Sequence, residues 1–332
     1  MKRLFISDLH LHTWSYGATV TNFGYNSRLA GQLGALREVL DYVAEHNIKY
    51  VYFNGDLFHT HGKVPVQAMN VASRFFKHLR MLNVQIRGIW GNHDIESKDG
   101  TINSVEPFLS PSELVGEWED DGLTVRALAY CEDEERIKRF LAEVPPESMV
   151  MLHQGVAGVP LSSGYVLDER LTPDMIPPYV KAFTGHYHFH RKVSDNLTVI
   201  GNLTPLNFSD IDQPKGFVVW DDATGEMEQI IQKSAPRFVS WNKNLDSVEN
   251  AFVRVTEAVP LKDQQSFRDK VIKEGALTVE FTKIEVEAKE IRRGEQVTVE
   301  HLIQSFESDI EPRRKAVGKE IRENRYEVPG AI

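Results

Sequence analysis

The chain begins with short apolar runs, separated by longer stretches in which apolar residues recur every three or four positions. The short runs, at residues 3–7, 48–53 and 84–90, predict buried strands. The stretches between them predict two amphipathic helices, the first capped by Ser27 and the second opened by Pro65. The predicted buried stripes are Leu29, Leu33, Leu36, Leu40 and Val43 in the first helix, and Val66, Met69, Ala72, Phe76 and Leu79 in the second.

Strand, helix and strand in succession predict right-handed parallel crossovers, which bring the carboxyl ends of the first three strands to one edge of a sheet. The later apolar runs predict five more strands, at 122–130, 148–152, 179–184, 197–200 and 217–220. A helix is predicted at 132–142. Residues 155–178, rich in Gly, Ser and Pro, predict a flexible surface loop.

From about residue 238 the pattern changes to a small β-α-β unit. Its predicted strands are 251–256 and 277–284, around a helix at 262–273. Residues 285–299 are compatible with a strand, and 299–324 are helical in pattern.

Polar motifs stand where several of the predicted strands end. They are Asp8-Leu9-His10, Gly55-Asp56, Gly91-Asn92-His93-Asp94, His153 and Gly185-His186-Tyr187-His188. Polar residues of ordinary solvent-exposed turns would be distributed over the whole surface. These residues instead recur at the edge of the sheet where ligands bind in open α/β sheets. Histidine, carboxylate and amide donors together suit Mn, Fe or Zn better than Ca or Mg. Because one tetrahedral ion cannot use them all, we expect two ions about 3.5–4 Å apart that share a carboxylate and activate a water for attack on phosphorus.

Composition sets further bounds. The 332 residues suffice for one large domain and a smaller one, and 41% hydrophobic with 26% charged residues is ordinary for a soluble globular protein. The single cysteine, Cys131, permits no intrachain disulfide and favours a reducing compartment. No apolar run reaches the length of a membrane span, and the sequence becomes polar at Ser7 and Asp8, too early for a signal peptide. We therefore expect a cytoplasmic protein without membrane association. The net charge of -10 does not favour general nucleic-acid binding, although a local basic groove or bound cations can offset it.

The five motifs, in this order and spacing across about residues 1–235, resemble the signature of calcineurin-like metallophosphoesterases. The resemblance implies an α/β fold: a two-sheet α/β/β/α sandwich with a smaller C-terminal α+β capping domain. We accordingly divide the chain into a metallophosphoesterase (nuclease) domain at 1–237, a capping domain at 238–300 and a helical segment at 301–332.

The residues that flank the motifs resemble the SbcD type of DNA double-strand-break repair nuclease. They are Gly55-Asp56-Leu57-Phe58-His59 with Pro65 after it, and Gly201-Asn202-Leu203-Thr204-Pro205-Leu206-Asn207-Phe208 followed by Pro214-Lys215-Gly216-Phe217. The chain departs from that pattern at Asn202, where Ser is usual, and at His12, where Gly is common, and it is shorter than most cellular members. We expect the two substitutions to leave the metal site intact and to alter how a DNA strand enters.

The resemblance also implies which residues bind metal. One ion would be held by Asp8, His10, Asp56 and His188, and the other by Asp56, Asn92, His153 and His186. The expected metal is Mn²⁺, with Mg²⁺, Fe²⁺ or Zn²⁺ as alternatives. His93 would be catalytic, either protonating the leaving oxygen or steadying the phosphorane, and Asp94 would set its tautomer. His12 could join the ligands of the first ion, and His59, His61 and His190 could contact substrate, but for all four a surface position without a role is favoured.

The implied activity is that of a manganese-dependent DNA exo- and endonuclease in repair, recombination or replication. Its expected partners are DNA, an SbcC-like coiled-coil ATPase and a second copy of the chain. Residues 299–324 are the candidate ATPase-docking helix, or else a helix folded back on the capping domain. Two other functions are considered: a metallophosphoesterase for small substrates such as cyclic nucleotides, and a non-catalytic scaffold. The scaffold is disfavoured because such relatives usually lose ligands or the motif histidine, and here all are retained.

Overall fold

The computed structural model describes residues 1–97, 99–114, 116–161, 164–241, 245–282 and 284–285. Its helices are α1 (Ser27–Glu45), α2 (Val66–Met81), α3 (Glu134–Ala142) and α4 (Leu261–Lys273), with short 3-10 turns at Pro173–Met175 and Phe208–Asp210. Its strands are β1 (Lys2–Ile6), β2 (Tyr50–Asn54), β3 (Gln85–Ile89), β4 (Glu117–Asp120), β5 (Leu123–Leu128), β6 (Met149–Leu152), β7 (Lys181–Thr184), β8 (Arg191–Lys192), β9 (Leu197–Val199), β10 (Gly216–Asp221), β11 (Met227–Ile231), β12 (Arg237–Ser240), β13 (Ala251–Val255), β14 (Val259–Pro260), β15 (Thr278–Phe281) and β16 (Ile284–Glu285).

Two sheets form most of the structure. The first has the order β11-β10-β1-β2-β3, in which β1, β2 and β3 are parallel, as the crossovers predict. The second has the order β4-β5-β6-β7-β9-β8, with antiparallel strands only at its two edges. In the first sheet Phe53 is in register with Ile6 and Gly88, so the three polar motifs that follow these strands emerge at one edge.

The two sheets pack face to face between layers of helices, which confirms the expected α/β/β/α sandwich. Because successive residues of a strand point to opposite faces, Leu4 and Ile6 join the core under α1 and α2, whereas Phe5 points into the space between the sheets. There the ring of Phe5 stacks on that of Phe183, with centroids 3.8 Å apart. On the outer face of the second sheet, Ile137 of α3 belongs to a third core. Both sheets are thereby fixed against each other beneath the polar edge.

A third, smaller sheet of parallel strands has the order β12-β13-β15. With α4 it has its own apolar cluster, which includes Val253, Val271 and Val279. The β-α-β unit predicted here is therefore present, and β12 adds a strand to it. The domain boundaries at 237 and 300 stay predictions, because these strands lie in a compact unit that runs from Met1 to Ile284. The helix predicted at 299–324 lies outside the described residues.

Some local predictions are wrong. Asn26, not Ser27, caps α1, because its side-chain oxygen accepts hydrogen bonds from the backbone N–H groups of Arg28 and Leu29, both at 3.1 Å. In α2, Val66 and Met69 are 70% and 41% exposed. The buried face of this helix passes instead through Ala68, Val71, Ala72, Phe75, Phe76 and Leu79. The helical period is as predicted, but Val66 and Met69 at the start of the helix face solvent.

Candidate metal centre

The backbone is strained at four of the predicted ligands. Asp8, His10, Asp56 and His186 have φ angles of 50°, 42°, 57° and 81°. Non-glycine residues rarely adopt this left-handed region, at a cost of about 1–3 kcal/mol each. It is held here by contacts between the loops: the N–H of Asp8 donates to the Gly55 carbonyl at 2.9 Å, and that of His10 donates to the Asp56 carbonyl at 3.0 Å. The strain thus coincides with the residues whose side chains converge.

Two glycines leave room for that convergence. A Cβ atom on Gly91 would lie 2.1 Å from Oδ1 of Asp56, and one on Gly185 would lie 2.2 Å from the hydroxyl oxygen of Ser7. Because both neighbours belong to the packed loops, any larger residue would displace the polar groups. The glycines in the motifs are therefore required by close approach.

The first group of donor atoms surrounds His10. Its Nε2 lies 3.0 Å from Nε2 of His188, 3.5 Å from Oδ2 of Asp56 and 3.9 Å from Oδ1 of Asp8. Asp8, His10 and His188 form one set whose donor atoms all lie within 4.8 Å of one another. This is the group predicted for one ion.

The second group surrounds Asn92. Its Oδ1 lies 3.2 Å from Nε2 of His153 and 2.8 Å from Nδ1 of His186. Nε2 of His153 is also 3.5 Å from Oδ2 of Asp56. Nδ1 of His153 is 2.6 Å from the Asn54 carbonyl oxygen, which accepts its proton and leaves Nε2 as a lone-pair donor. The structure therefore brings the predicted residues into two groups, with Asp56 common to both.

Burial and charge in these groups favour cations. Asp8 and Asp56 are 0% and 1% exposed. Burial opposes ionisation of Asp56, yet His153 and His10 hold the pKa of this carboxyl below its usual range. Burial lowers the pKa of His10, which keeps that imidazole in its neutral, metal-binding form. For His153 burial has the same effect, but Asp56 outweighs it and raises the pKa to about 9. A site that stabilises an imidazolium also stabilises a metal cation, and the mixed donor set fits divalent transition metals.

Asp94 does not have the role predicted for it. Its carboxylate accepts hydrogen bonds from the backbone N–H groups of Asp56 at 2.7 Å, Leu57 at 2.9 Å and Gly91 at 2.9 Å. Nδ1 of His93 instead lies 2.7 Å from the carbonyl oxygen of His59. The prediction that Asp94 sets the tautomer of His93 is wrong, because the Asp94 side chain folds back under its own turn. It is a positioning residue for the Asp56 loop.

Histidines expected on the surface lie close to His93. The ring of His61 stacks on that of His93 with centroids 5.0 Å apart, and His10, His59 and His93 form a further set of donors within 4.8 Å. The ring of His59 also lies 4.3 Å from that of Trp14. His59 is half-buried and His61 is exposed, yet both rings adjoin that of His93, which favours the alternative in which they contact substrate.

Sequence reasoning missed Glu169, in the loop 155–178. Its Oε1 lies 3.7 Å from Nε2 of His186 and accepts a hydrogen bond from the Tyr187 hydroxyl at 3.3 Å. The proximity of the His186 ring is the main reason that the pKa of Glu169 is lowered. A Cβ atom on Gly155 would lie 2.1 Å from the Glu169 carboxyl carbon, so the absence of a side chain at Gly155 leaves room for Glu169. No spacing marked Glu169 in advance, because an irregular loop brings it here.

The Pro-Lys-Gly-Phe motif contacts the backbone of His188, one of the predicted ligands. The side chain of Lys215 is 1% exposed, and its Nζ donates to Oδ1 of Asp210 at 2.6 Å and to the His188 carbonyl at 2.5 Å. Asn202 is 0% exposed, and its amide donates to the Thr204 carbonyl at 2.8 Å. The Asn202 side chain is thus enclosed in its own turn, and an effect on how a DNA strand enters stays a prediction.

A two-sheet sandwich with donor groups at the ends of its strands defines a metallophosphoesterase. Residues 1–190 match the family described as Calcineurin-like phosphoesterase, and the chain belongs to that family. Its members are hydrolases that bind two divalent metals. None of the helices in the described part of the chain combines the length and hydropathy that a bilayer span requires.

Three proteins illustrate what the chain is similar to. Exonuclease subunit 1 of Enterobacteria phage T4 is 23% identical over 232 residues, which cover 64% of this chain and 63% of that relative. The structure of TT1561 of Thermus thermophilus is 13% identical, covering 69% of this chain and 98% of that one at a TM-score of 0.39. Pseudomonas putida nuclease MPE is 12% identical, covering 68% and 86% at a TM-score of 0.30.

Proposed function

We propose that this chain is a two-metal phosphodiesterase that cleaves DNA in repair, recombination or replication. The observation that carries the proposal is the position of Asp56, whose Oδ2 lies 3.5 Å from Nε2 of both His10 and His153. A carboxylate oxygen that lies between two sets of imidazole donors is well placed to act as a ligand that two cations share. Asp8, His10 and His188 would complete one set, and Asn92, His153 and His186 the other.

The cations, when bound, supply activation of a water and stabilisation of charge on the phosphoryl oxygens. The protein residues provide orientation and proton transfer. His10 and His153 are both 0% exposed, so their donor atoms are fixed in a low-dielectric layer beneath the substrate. His93 is half-buried at the rim and donates Nδ1–H to the His59 carbonyl, which leaves Nε2 to hold or release a proton at the leaving oxygen.

Two observations support DNA as the substrate. The phage T4 relative is called an exonuclease subunit, and it is matched over 63% of its length. The sequence that flanks the motifs also resembles that of SbcD-type nucleases. Lys215, in one of these flanking segments, donates a hydrogen bond to the His188 carbonyl. On the same grounds we propose Mn²⁺ as the metal, an SbcC-like coiled-coil ATPase as partner and a homodimer as the assembly.

The test compares Mn²⁺-dependent hydrolysis of end-labelled single- and double-stranded DNA with that of bis-p-nitrophenyl phosphate. We expect the wild-type protein to cleave DNA and the ester, and the His93→Ala variant to cleave neither at a comparable rate. Ester hydrolysis without any cleavage of DNA would contradict the proposal and favour a phosphoesterase for small substrates. DNA cleavage that persists in His93→Ala after ester hydrolysis is lost would indicate a contaminating nuclease, whereas persistence of both activities would contradict the role assigned to His93.

A further inference from the structure

A pocket of about 400 Å³ lies between the loop that follows β1 and the small third sheet. Its lining combines aromatic rings with cationic groups, from Trp14, Tyr16, Arg28, Phe208, Phe238 and Arg254. Two ring contacts connect it to the metal centre: Trp14 lies 4.3 Å from His59, and His59 lies 5.5 Å from His10. The pocket therefore adjoins the place where we propose that the scissile phosphate binds.

Arg28 is a buried cation without an anionic partner. It is 6% exposed, and in the described part of the chain no carboxylate forms an ion pair with it. Its guanidinium donates to the Leu206 carbonyl at 2.6 Å and lies 4.9 Å from the Trp14 ring and 5.4 Å from the Phe238 ring. Burial lowers its pKa to about 10. Because cation–π contacts return only about 0.5–2 kcal/mol each, a buried charge of this kind is better satisfied by an anion.

The pocket lining presents a second cation over an aromatic ring. The guanidinium of Arg254 lies 4.0 Å from the ring centroid of Phe208. The ring centroids of Tyr16 and Phe208 are 6.1 Å apart. Glu280 also lines the pocket, but it is already engaged by Arg254 and by the Tyr16 hydroxyl. Nε1 of Trp14 is buried without a hydrogen-bond acceptor among the described residues, so it remains an unused donor.

We propose that this pocket binds one unstacked nucleotide of a DNA strand, next to the phosphate that is cleaved. Aromatic faces that receive a base, together with arginines that bind its phosphate, are the recurring means of holding single-stranded nucleic acid. A base in a duplex is stacked on its neighbours and cannot enter, so the substrate presents a single-stranded or frayed segment. The proposal rests on the proposed nuclease function and adds to it the form of the substrate.

The test uses Phe208→Leu and Arg254→Gln, which change the pocket wall at partly exposed positions. Arg191→Gln is the matched control, because Arg191 also lies over an aromatic ring, 4.8 Å from that of Phe189, but outside the pocket lining. Binding is measured by fluorescence anisotropy with a labelled phosphorothioate decathymidylate, which resists cleavage. Hydrolysis of bis-p-nitrophenyl phosphate and the thermal midpoint are measured on the same preparations.

We expect Phe208→Leu to weaken binding of the decathymidylate by about 5- to 150-fold, the usual effect of losing one base-stacking contact. Arg254→Gln, which removes a charged donor to the phosphate, should weaken it by about 10- to 150-fold. Ester hydrolysis should stay within about twofold of the wild type, and Arg191→Gln should bind as the wild type does. Unchanged binding in both pocket variants would overturn the inference while leaving the nuclease function in place. Absence of DNA binding by the wild type would overturn both. Equal binding of thymidine 5′-monophosphate and the decathymidylate would contradict a strand-binding pocket, as would a parallel loss of ester hydrolysis.

Discussion

The carbonyl oxygen of His59 lies 2.7 Å from Nδ1 of His93, so a backbone group rather than a carboxylate orients the candidate general acid. A carbonyl accepts the Nδ1 proton in the neutral and in the cationic imidazole alike, which keeps Nε2 directed away from His59 in both states. The carbonyl of His59 therefore fixes the orientation of the His93 ring without placing a charged group beside it.

His93→Ala should abolish most turnover and leave metal binding intact. Loss of a general acid typically lowers the rate by about 10²–10⁴-fold. The donor sets around Asp56 do not require His93, so the bound metal should not change. Steady-state hydrolysis and the metal content by mass spectrometry provide the measurement. Loss of metal together with activity would show that His93 is a ligand and not an acid.

Asp94→Asn should act mainly on stability. The Asp94 carboxylate accepts hydrogen bonds from the N–H groups of Asp56, Leu57 and Gly91, and a side-chain amide would turn its own N–H₂ group towards some of these donors. Leaving a buried donor unsatisfied costs about 1–3 kcal/mol. Urea unfolding of metal-free protein should show that loss, with His93→Ala as a control that shifts by no more than about 0.5 kcal/mol. A fully stable Asp94→Asn variant with the kinetic defect of His93→Ala would contradict this assignment.

Asp56→Ala and Asn92→Ala should differ in the number of ions they retain. Asp56 stands between both donor groups, whereas Asn92 contacts His153 and His186 of the second group. Titration of metal-free protein with Mn²⁺ should show two strong sites in the wild type, neither in Asp56→Ala, and one in Asn92→Ala. The assignment of Asp56 as the shared ligand would be wrong if Asp56→Ala kept one site at wild-type affinity.

Glu169→Gln should weaken one ion without removing a ligand. Glu169 lies on the Nε2 side of His186, and a carboxylate there fixes the ring so that Nδ1 faces Oδ1 of Asn92, where the two residues would hold an ion. Loss of such a partner typically reduces metal affinity by about 10–100-fold. The neighbouring Asp168→Asn is the matched control, because the Asp168 side chain is 100% exposed. Equal Mn²⁺ affinity in Glu169→Gln and Asp168→Asn would show that Glu169 has no role at the site.

The sequence predicted the parts of the site that local patterns determine. Apolar runs identified the strands, and parallel register carried the residues that follow them to one edge, as Phe53 in line with Ile6 and Gly88 shows. The type of residue at each strand end then indicated metal binding. These inferences needed no knowledge of the loops.

What could not be predicted depends on contacts between distant or irregular segments. The role of the His59 carbonyl is independent of the His59 side chain, so residue type carries no sign of it. Glu169 reaches His186 from a loop without periodicity. Short edge strands such as β8 (Arg191–Lys192) are polar and two residues long, too short for an alternating pattern.

Lys215→Met should destabilise the fold strongly. The Lys215 and Asp210 side chains are 1% and 2% exposed, and the same ammonium group binds the carbonyl of His188. Removing one partner of a buried ion pair leaves the other charge uncompensated, at a cost of about 3–5 kcal/mol. Lys192→Met is the control, because its ion pair with Asp195 is exposed and such pairs contribute about 0–1 kcal/mol. In urea unfolding, the double variant Lys215→Met/Asp210→Leu should regain part of the lost stability, since it leaves no buried charge. If Lys215→Met proved as mild as Lys192→Met, the carbonyl of His188 would have to be held by its other neighbours.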